Sequence, residues 1–182
     1  KLDYSAEINS NKKEPIVYGE TNDRFIFEDT DGAKLLLTNE YYNFIKMLQS
    51  NITVYNKNTL TVFNAEMCSP IIKMKYYRNL YMLFDGEIVF TLYPPKYDKH
   101  MYHVMDTSEY SISAIHPKKT GDEETMKRYP LFKNAYSIDI IMRPGQILSI
   151  PPFWWYSIQC KKDCLLISNK SDNVFTKVVN LV

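Results

Sequence analysis

The chain has 182 residues, 45% of them hydrophobic and 24% charged, enough apolar material for one folded domain with its own core and too much for a disordered chain. Its 22 basic and 21 acidic side chains leave a formal net charge of +1, so no global field draws it to nucleic acid or to an anionic membrane. No apolar run approaches the roughly 20 residues that span a bilayer and no signal peptide is visible, so neither a membrane span nor secretion is expected.

In chain order, Lys1 to Lys13 is polar and reads as an irregular arm. Ile16-Val17-Tyr18 and Arg24-Phe25-Ile26-Phe27 read as short strands, with a turn at Asp29-Thr30-Asp31-Gly32. Thr38 can cap a helix over Asn39 to Gln49, where Tyr41, Phe44, Ile45 and Leu48 recur at helical spacing. Ile52 to Tyr55 and Leu60 to Phe63 alternate as two strands around a turn at Asn56-Lys57-Asn58. Tyr81 to Tyr93 is interrupted by Asp85-Gly86, the residue pair of a type I′ hairpin. Glu123-Glu124 near Lys127-Arg128 reads as the solvated face of a short helix. Pro144-Gly145 supplies a turn and Gln146 to Ile150 a short buried strand. Pro151-Pro152 stops that strand because neither residue can donate to a ladder, and Trp154-Trp155 follow on the next one. Leu165 to Ser168 is a return strand. Short strands separated by turn signals, with one early helix, indicate a mainly β barrel or jelly roll.

Three cysteines, Cys68, Cys160 and Cys164, are an odd number and argue against a full disulfide framework. Cys160 and Cys164 are expected to face each other across a hairpin end, either paired by oxidation or as free thiols in a reducing compartment. His100, His103 and Asp106 recur at three-residue steps, a spacing that would place them on one side of a helical turn as a displaced metal site; the alternative is solvated loop histidines, as for His116. Tyr76-Tyr77 beside Lys73, Lys75 and Arg78 has the composition of a basic-aromatic nucleic-acid patch, but alternate residues of one strand cannot all face a ligand outside, so nucleic acid is not expected.

The run Pro144-Gly145 to Pro151-Pro152-Phe153-Trp154-Trp155-Tyr156 resembles a metal-bearing strand of the cupin-like, Jumonji-C-type iron(II)/2-oxoglutarate dioxygenases, in which Pro-Pro-Gly-Trp-Trp-His recurs. Arg78-Asn79-Leu80-Tyr81 through Leu92-Tyr93-Pro94-Pro95, and Arg128 to Ala135, resemble further motifs of that family in matching order over residues 65 to 175. The resemblance implies a double-stranded β-helix in a single domain, residues 1 to 182. Its opposed sheets should bury Leu92, Ile147, Leu148, Ile150 and Leu166, with Trp154 and Trp155 on a barrel strand.

Counted from Asn79, the family's metal-ligand positions fall on Lys73, Lys75 and Tyr156, which supply no metal-binding set; a one-residue slip puts Ile72 and Met74 there instead, and recovers no ligand either. The lysine that pairs with the far carboxylate of 2-oxoglutarate in many relatives aligns with Ile88. Asn79, Tyr81 and Asn169 match the rest of that co-substrate pocket, though a buried Asn can equally satisfy strand-end backbone.

The expectation is therefore a vestigial site with no cofactor, in a non-catalytic barrel that serves as a structural or protein-binding module. The alternative is an active protein hydroxylase or demethylase that uses iron(II) and 2-oxoglutarate at an unusual metal site. A protein partner or a second copy is expected, with Tyr97, Tyr102 and Tyr110 in the excursion after Pro95 as interface candidates; a merely mobile loop is the other reading. Frequent Asn, Lys, Ile and Tyr, with 15 tyrosines against 5 glycines, fit the codon bias of an AT-rich genome such as those of large DNA viruses and several protists. An intracellular or virion location is expected. The opening at Lys1 suggests a fragment.

Overall fold

The computed structural model describes residues 53–173 together with a short strand at 16–18. The arm Lys1 to Lys13, the strand Arg24 to Phe27, the turn Asp29 to Gly32 and the helix Asn39 to Gln49 lie outside the described residues. The described chain forms β1 (Ile16–Tyr18), β2 (Thr53–Phe63), β3 (Ile72–Met74), β4 (Arg78–Asp85) and β5 (Ile88–Tyr93). After a 3-10 turn at Pro95–His100 come β6 (His103–Asp106) and β7 (Tyr110–Ser113). The helix α1 (Glu123–Arg128) precedes β8 (Ile138–Met142), β9 (Ile147–Ile150), β10 (Trp155–Cys160) and β11 (Cys164–Asn173).

All pairings are antiparallel and fall into two sheets. One has the order β1-β2-β11-β4-β9 and the other β6-β7-β3-β10-β5-β8. Consecutive strands repeatedly change sheet, as a jelly roll requires, and the inner faces of both sheets share one core. Its centre is Leu83, Phe90, Ile150, Tyr156 and Leu166, each no more than 2% exposed. A second cluster packs on the outer side of the six-stranded sheet, around Ile71, Tyr93, Met101, Phe132 and Trp155. The excursion after Pro95 supplies part of it.

Five sequence expectations are corrected by this topology. Residues 53–63 are one continuous strand and not two around Asn56-Lys57-Asn58, because β2 pairs with β11 along its length and the Asn169 amide donates to Asn58 Oδ1 at 2.7 Å where the turn was expected. Tertiary pairing overrides local turn preference. Asp85-Gly86 does not close a hairpin, since β4 and β5 belong to different sheets; Gly86, at φ +91°, turns a corner between them. The Asp85 carboxylate accepts the Gly86 N–H at 2.8 Å. Cys160 and Cys164 likewise stand at an inter-sheet corner, both buried and both free thiols.

Ile147, expected in the core, is 38% exposed. Strand alternation sends Leu148 and Ile150 inward and turns Ile147 and Ser149 out along the edge of the five-stranded sheet. Trp155 opens β10, whereas Trp154 precedes the strand and packs against the core edge. The short helix predicted from Glu123 to Arg128 is present, with an exposed Lys127–Glu123 ion pair at 2.9 Å.

Candidate functional site

Between the inner faces of the two sheets lies a cavity of about 290 Å³ that is open to solvent. From β2 it is lined by Lys57, Thr59, Thr61 and Phe63, from β11 by Leu166, Ser168 and Lys170, from β3 by Ile72 and Met74, and from β4 and β10 by Tyr81, Tyr156 and Ile158. Period-2 alternation explains the set, because on each strand every second residue faces in. Register ties the walls together: Lys57 lies opposite Lys170, Thr59 opposite Ser168, and Thr61 opposite Leu166.

At the centre, the Tyr81 and Tyr156 hydroxyls hydrogen-bond to each other. Their rings meet edge to face at 5.6 Å, and Phe90 packs against both. Burial pushes both phenols well above their ordinary range, so neither becomes a phenolate near neutral pH. Burial, assisted by the charge of Lys57 and opposed by Glu109, pulls the Lys170 ammonium down to about 8.

Lys73 and Lys75 do not join Tyr156. On β3 it is Ile72 and Met74 that face the cavity, Ile72 lying opposite Tyr156, so the alternative register is the one the fold adopts. Lys73 projects from the opposite face of the sheet, where its ammonium donates to Asp98 Oδ1 at 2.5 Å and lies 5.0 Å from the centre of the Trp155 ring. Trp155 Nε1–H donates to the same oxygen at 2.9 Å, and His103 Nε2 lies 3.3 Å from the other one. Burial works against ionisation of Asp98, but the donors Lys73 and Trp155 overcome it and hold the carboxyl below its usual range. Lys75 meets Asp106 at 2.7 Å. Each lysine is thus closed by a carboxylate, as a half-buried ammonium requires, and the two pairs fasten the excursion to the barrel.

The other candidates separate in the same way. Asn79 is fully buried and donates to the carbonyls of Tyr76 and Ile150 at 3.2 and 3.5 Å, the strand-end role, with its own carbonyl oxygen unpartnered. Asn169 faces away from the cavity, toward Asn58. Ile88 is core, paired with Cys160 and Met142. His100, His103 and Asp106 do not share a helical face, because the chain there leaves a 3-10 turn and extends into β6. Tyr97, Tyr102 and Tyr110 are each partly buried rather than exposed. Tyr97 and Tyr102 pack on the outer cluster, and Tyr102 accepts the Leu131 N–H at 2.9 Å. Among the described residues the exposed tyrosines are Tyr77 and Tyr136.

Lys57 and Lys170 were missed by reading the sequence. Continuing the alternation of Leu166 and Ser168 by one step would have placed Lys170 on the inner face. Lys57 was hidden inside the supposed turn.

Iron(II) in dioxygenases of this fold takes two imidazoles and a carboxylate. The inward residues at the corresponding positions are Ile72, Met74 and Tyr156, namely an alkyl group, a thioether and a neutral phenol, and this set does not fit the ion. No group of three or more His, Cys, Asp or Glu side chains converges elsewhere among the described residues, and no helix there is long and apolar enough to cross a membrane.

Comparison with known proteins agrees with this architecture. A family model described as a cupin-like domain matches residues 36–177. The chain is similar to the human bifunctional peptidase and (3S)-lysyl hydroxylase JMJD7, 25% identical over 109 residues, which cover 51% of this chain and 34% of that protein. It is also similar to human HSPB1-associated protein 1, 22% identical over 148 residues, 73% of this chain and 30% of that one. Among solved structures, the hydroquinone 1,2-dioxygenase of Sphingomonas sp. TTNP3 with 4-hydroxybenzoate bound aligns with a TM-score of 0.45 and 10% identity over 80% of each chain. The chain spans about a third of the length of the curated relatives named here. With the family model covering most of its length and the two-sheet jelly roll in place, this chain belongs to the cupin-like domain family.

Proposed function

We propose that this chain is a non-catalytic cupin-like module that acts by binding, as a structural or protein-contacting part of a larger assembly. One observation carries the reading: the side chains facing the cavity where dioxygenases of this fold hold iron are Ile72, Met74 and Tyr156. Without a metal there is no centre at which to activate oxygen. The residues that fold the barrel persist, with Gly86 at its corner and the Trp155–Asp98 contact on its outer wall.

Exposed apolar residues support a contact role. Tyr136, Ile138 and Ile141 are 75%, 53% and 57% exposed, and Ile138 and Ile141 sit on β8, one of the two end strands of its sheet among the described residues. Such edges are the usual place for pairing with another chain. An assembly of viral origin would also accommodate the composition.

The competing reading is a hydroxylase, the activity named for the human relative. To separate the two, the chain is incubated with iron(II), ascorbate and 2-oxoglutarate, and succinate is measured by mass spectrometry. The binding-module reading requires succinate at the level of the protein-free control. Iron-dependent succinate formation that stops on adding a chelator would overturn it.

A further inference from the structure

We propose that the barrel cavity is a metal-free site for a small organic anion, whose carboxylate sits between the ammonium groups of Lys57 and Lys170 and whose apolar body reaches toward Tyr81 and Tyr156. This specifies a ligand class for the binding role proposed above, but it does not depend on the loss of catalysis.

Lys57 and Lys170 are directly opposite on adjacent antiparallel strands and line the same cavity. Like charges placed that way repel. Elsewhere this protein closes its half-buried lysines, Lys73 with Asp98 and Lys75 with Asp106, at 2.5 and 2.7 Å. Among the described residues no Asp or Glu lines the cavity. The charges acting on Lys170 are Lys57, which opposes its proton, and Glu109, which favours it without lining the cavity. Tyr81 and Tyr156 stay neutral. Lys170, held at about 8 by burial and by Lys57, still carries its proton at neutral pH, so an anion entering here meets a poorly solvated cation with a second lysine directly opposite it.

The remaining lining defines the rest of the ligand. Hydroxyls of Thr59 and Ser168 lie one inward step from the lysines and can donate to a carboxylate. Beyond them the lining turns apolar, with Leu166 about 13 Å from Lys170 along its strand and Phe63 about 20 Å from Lys57 along the other, at roughly 3.3 Å per residue. A volume of about 290 Å³ equals roughly ten waters at about 30 Å³ each, which suits a benzoate or a six-carbon fatty acid. The cavity is polar and cationic at one end and apolar at the other, so it matches an amphiphilic carboxylate better than inorganic phosphate.

The test uses the full chain in buffer containing a chelator. Benzoate and hexanoate are titrated by calorimetry, with benzamide and hexanol as uncharged counterparts and inorganic phosphate and 2-oxoglutarate as competing anions. The carboxylates should bind with Kd of about 1 mM or tighter, and the uncharged counterparts at least about tenfold more weakly. Lys170→Met and Lys57→Met should each weaken binding by about tenfold or more, while Lys170→Arg retains it. Affinity should fall as pH rises through about 8, where Lys170 loses its charge. Far-UV circular dichroism confirms that each variant folds, and Lys170→Arg decides the matter should a Met variant not fold. The proposal is overturned if neither carboxylate binds at about 10 mM, if both bind the folded Met variants unchanged, if phosphate binds more tightly than hexanoate, or if binding appears only when metal is restored.

Discussion

Replacing Lys170 by Met should stabilise the ligand-free protein at neutral pH, and the gain should vanish in alkali. Lys170 titrates at about 8 in the fold against 10.5 in an unfolded chain. Both states are then protonated at neutral pH, and only the folded one bears the charge in a poorly solvated place beside Lys57. At about 1.4 kcal/mol per tenfold, the difference corresponds to about 3 kcal/mol. The side chain is partly exposed, so solvent relaxes some of this and about 1–2 kcal/mol is expected from Lys170→Met. The sign follows from proton counting. The unfolded state binds more protons between about pH 8 and 10.5, so the wild type gains stability with rising pH across that window while the variant does not. Urea unfolding followed by Trp155 and Trp154 fluorescence, from pH 6 to 10, measures both curves. A destabilised variant at neutral pH, or an offset that does not change with pH, would refute the reasoning about this lysine and leave no electrostatic demand for an anion.

Tyr156→Phe removes one partner of a fully buried hydroxyl pair. It should lower stability by about 1–3 kcal/mol, and adding Tyr81→Phe should cost less than the sum of the two single changes, read by a double-mutant cycle in urea. Asp98→Asn leaves the ammonium of Lys73, a residue only 8% exposed, facing a neutral group, and should destabilise by about 1–3 kcal/mol at neutral pH. Because Asp98 is held below 3.8 in the fold, its contribution is full above the unfolded value and is lost as pH falls through the folded one; acid titration of wild type and variant should therefore show the gap between them narrowing only as pH falls below the unfolded carboxyl value. Gly86→Ala places a Cβ 2.3 Å from the Asp163 carbonyl oxygen at φ +91° and should cost more than about 2 kcal/mol in the same urea assay.

The β architecture was legible because short alternating runs and their Pro and Gly punctuation are local signals, and the motif order around Asn79, Pro94-Pro95 and Trp154-Trp155 fixed which barrel it is. What local signals cannot carry is the sheet to which the next strand belongs. Asp85-Gly86 announces a tight turn whether the chain folds back on itself or crosses to the other sheet. Asn56-Lys57-Asn58 likewise looked like a turn until the long partner β11 held it extended. The parity of a strand is equally invisible from inside it. Counting from Asn79 placed Lys73 and Lys75 inside, one residue out of phase, because the chain between β3 and β4 does not keep a strict two-residue period. The same one-residue error turns every side chain to the other face. It hid the pairing of Lys73 with Asp98, and a pairing register between residues 113 positions apart was needed to bring Lys57 and Lys170 together.

The central claim, that the barrel has lost its metal centre and kept its fold, is tested most directly by titrating the chain anaerobically with manganese(II) in the presence of 2-oxoglutarate and following the free ion by electron paramagnetic resonance. The free-ion signal should grow in proportion to the manganese added, as it does without protein, while circular dichroism reports an intact β fold. Loss of that signal up to about one manganese per chain, with the same β fold, would contradict the claim.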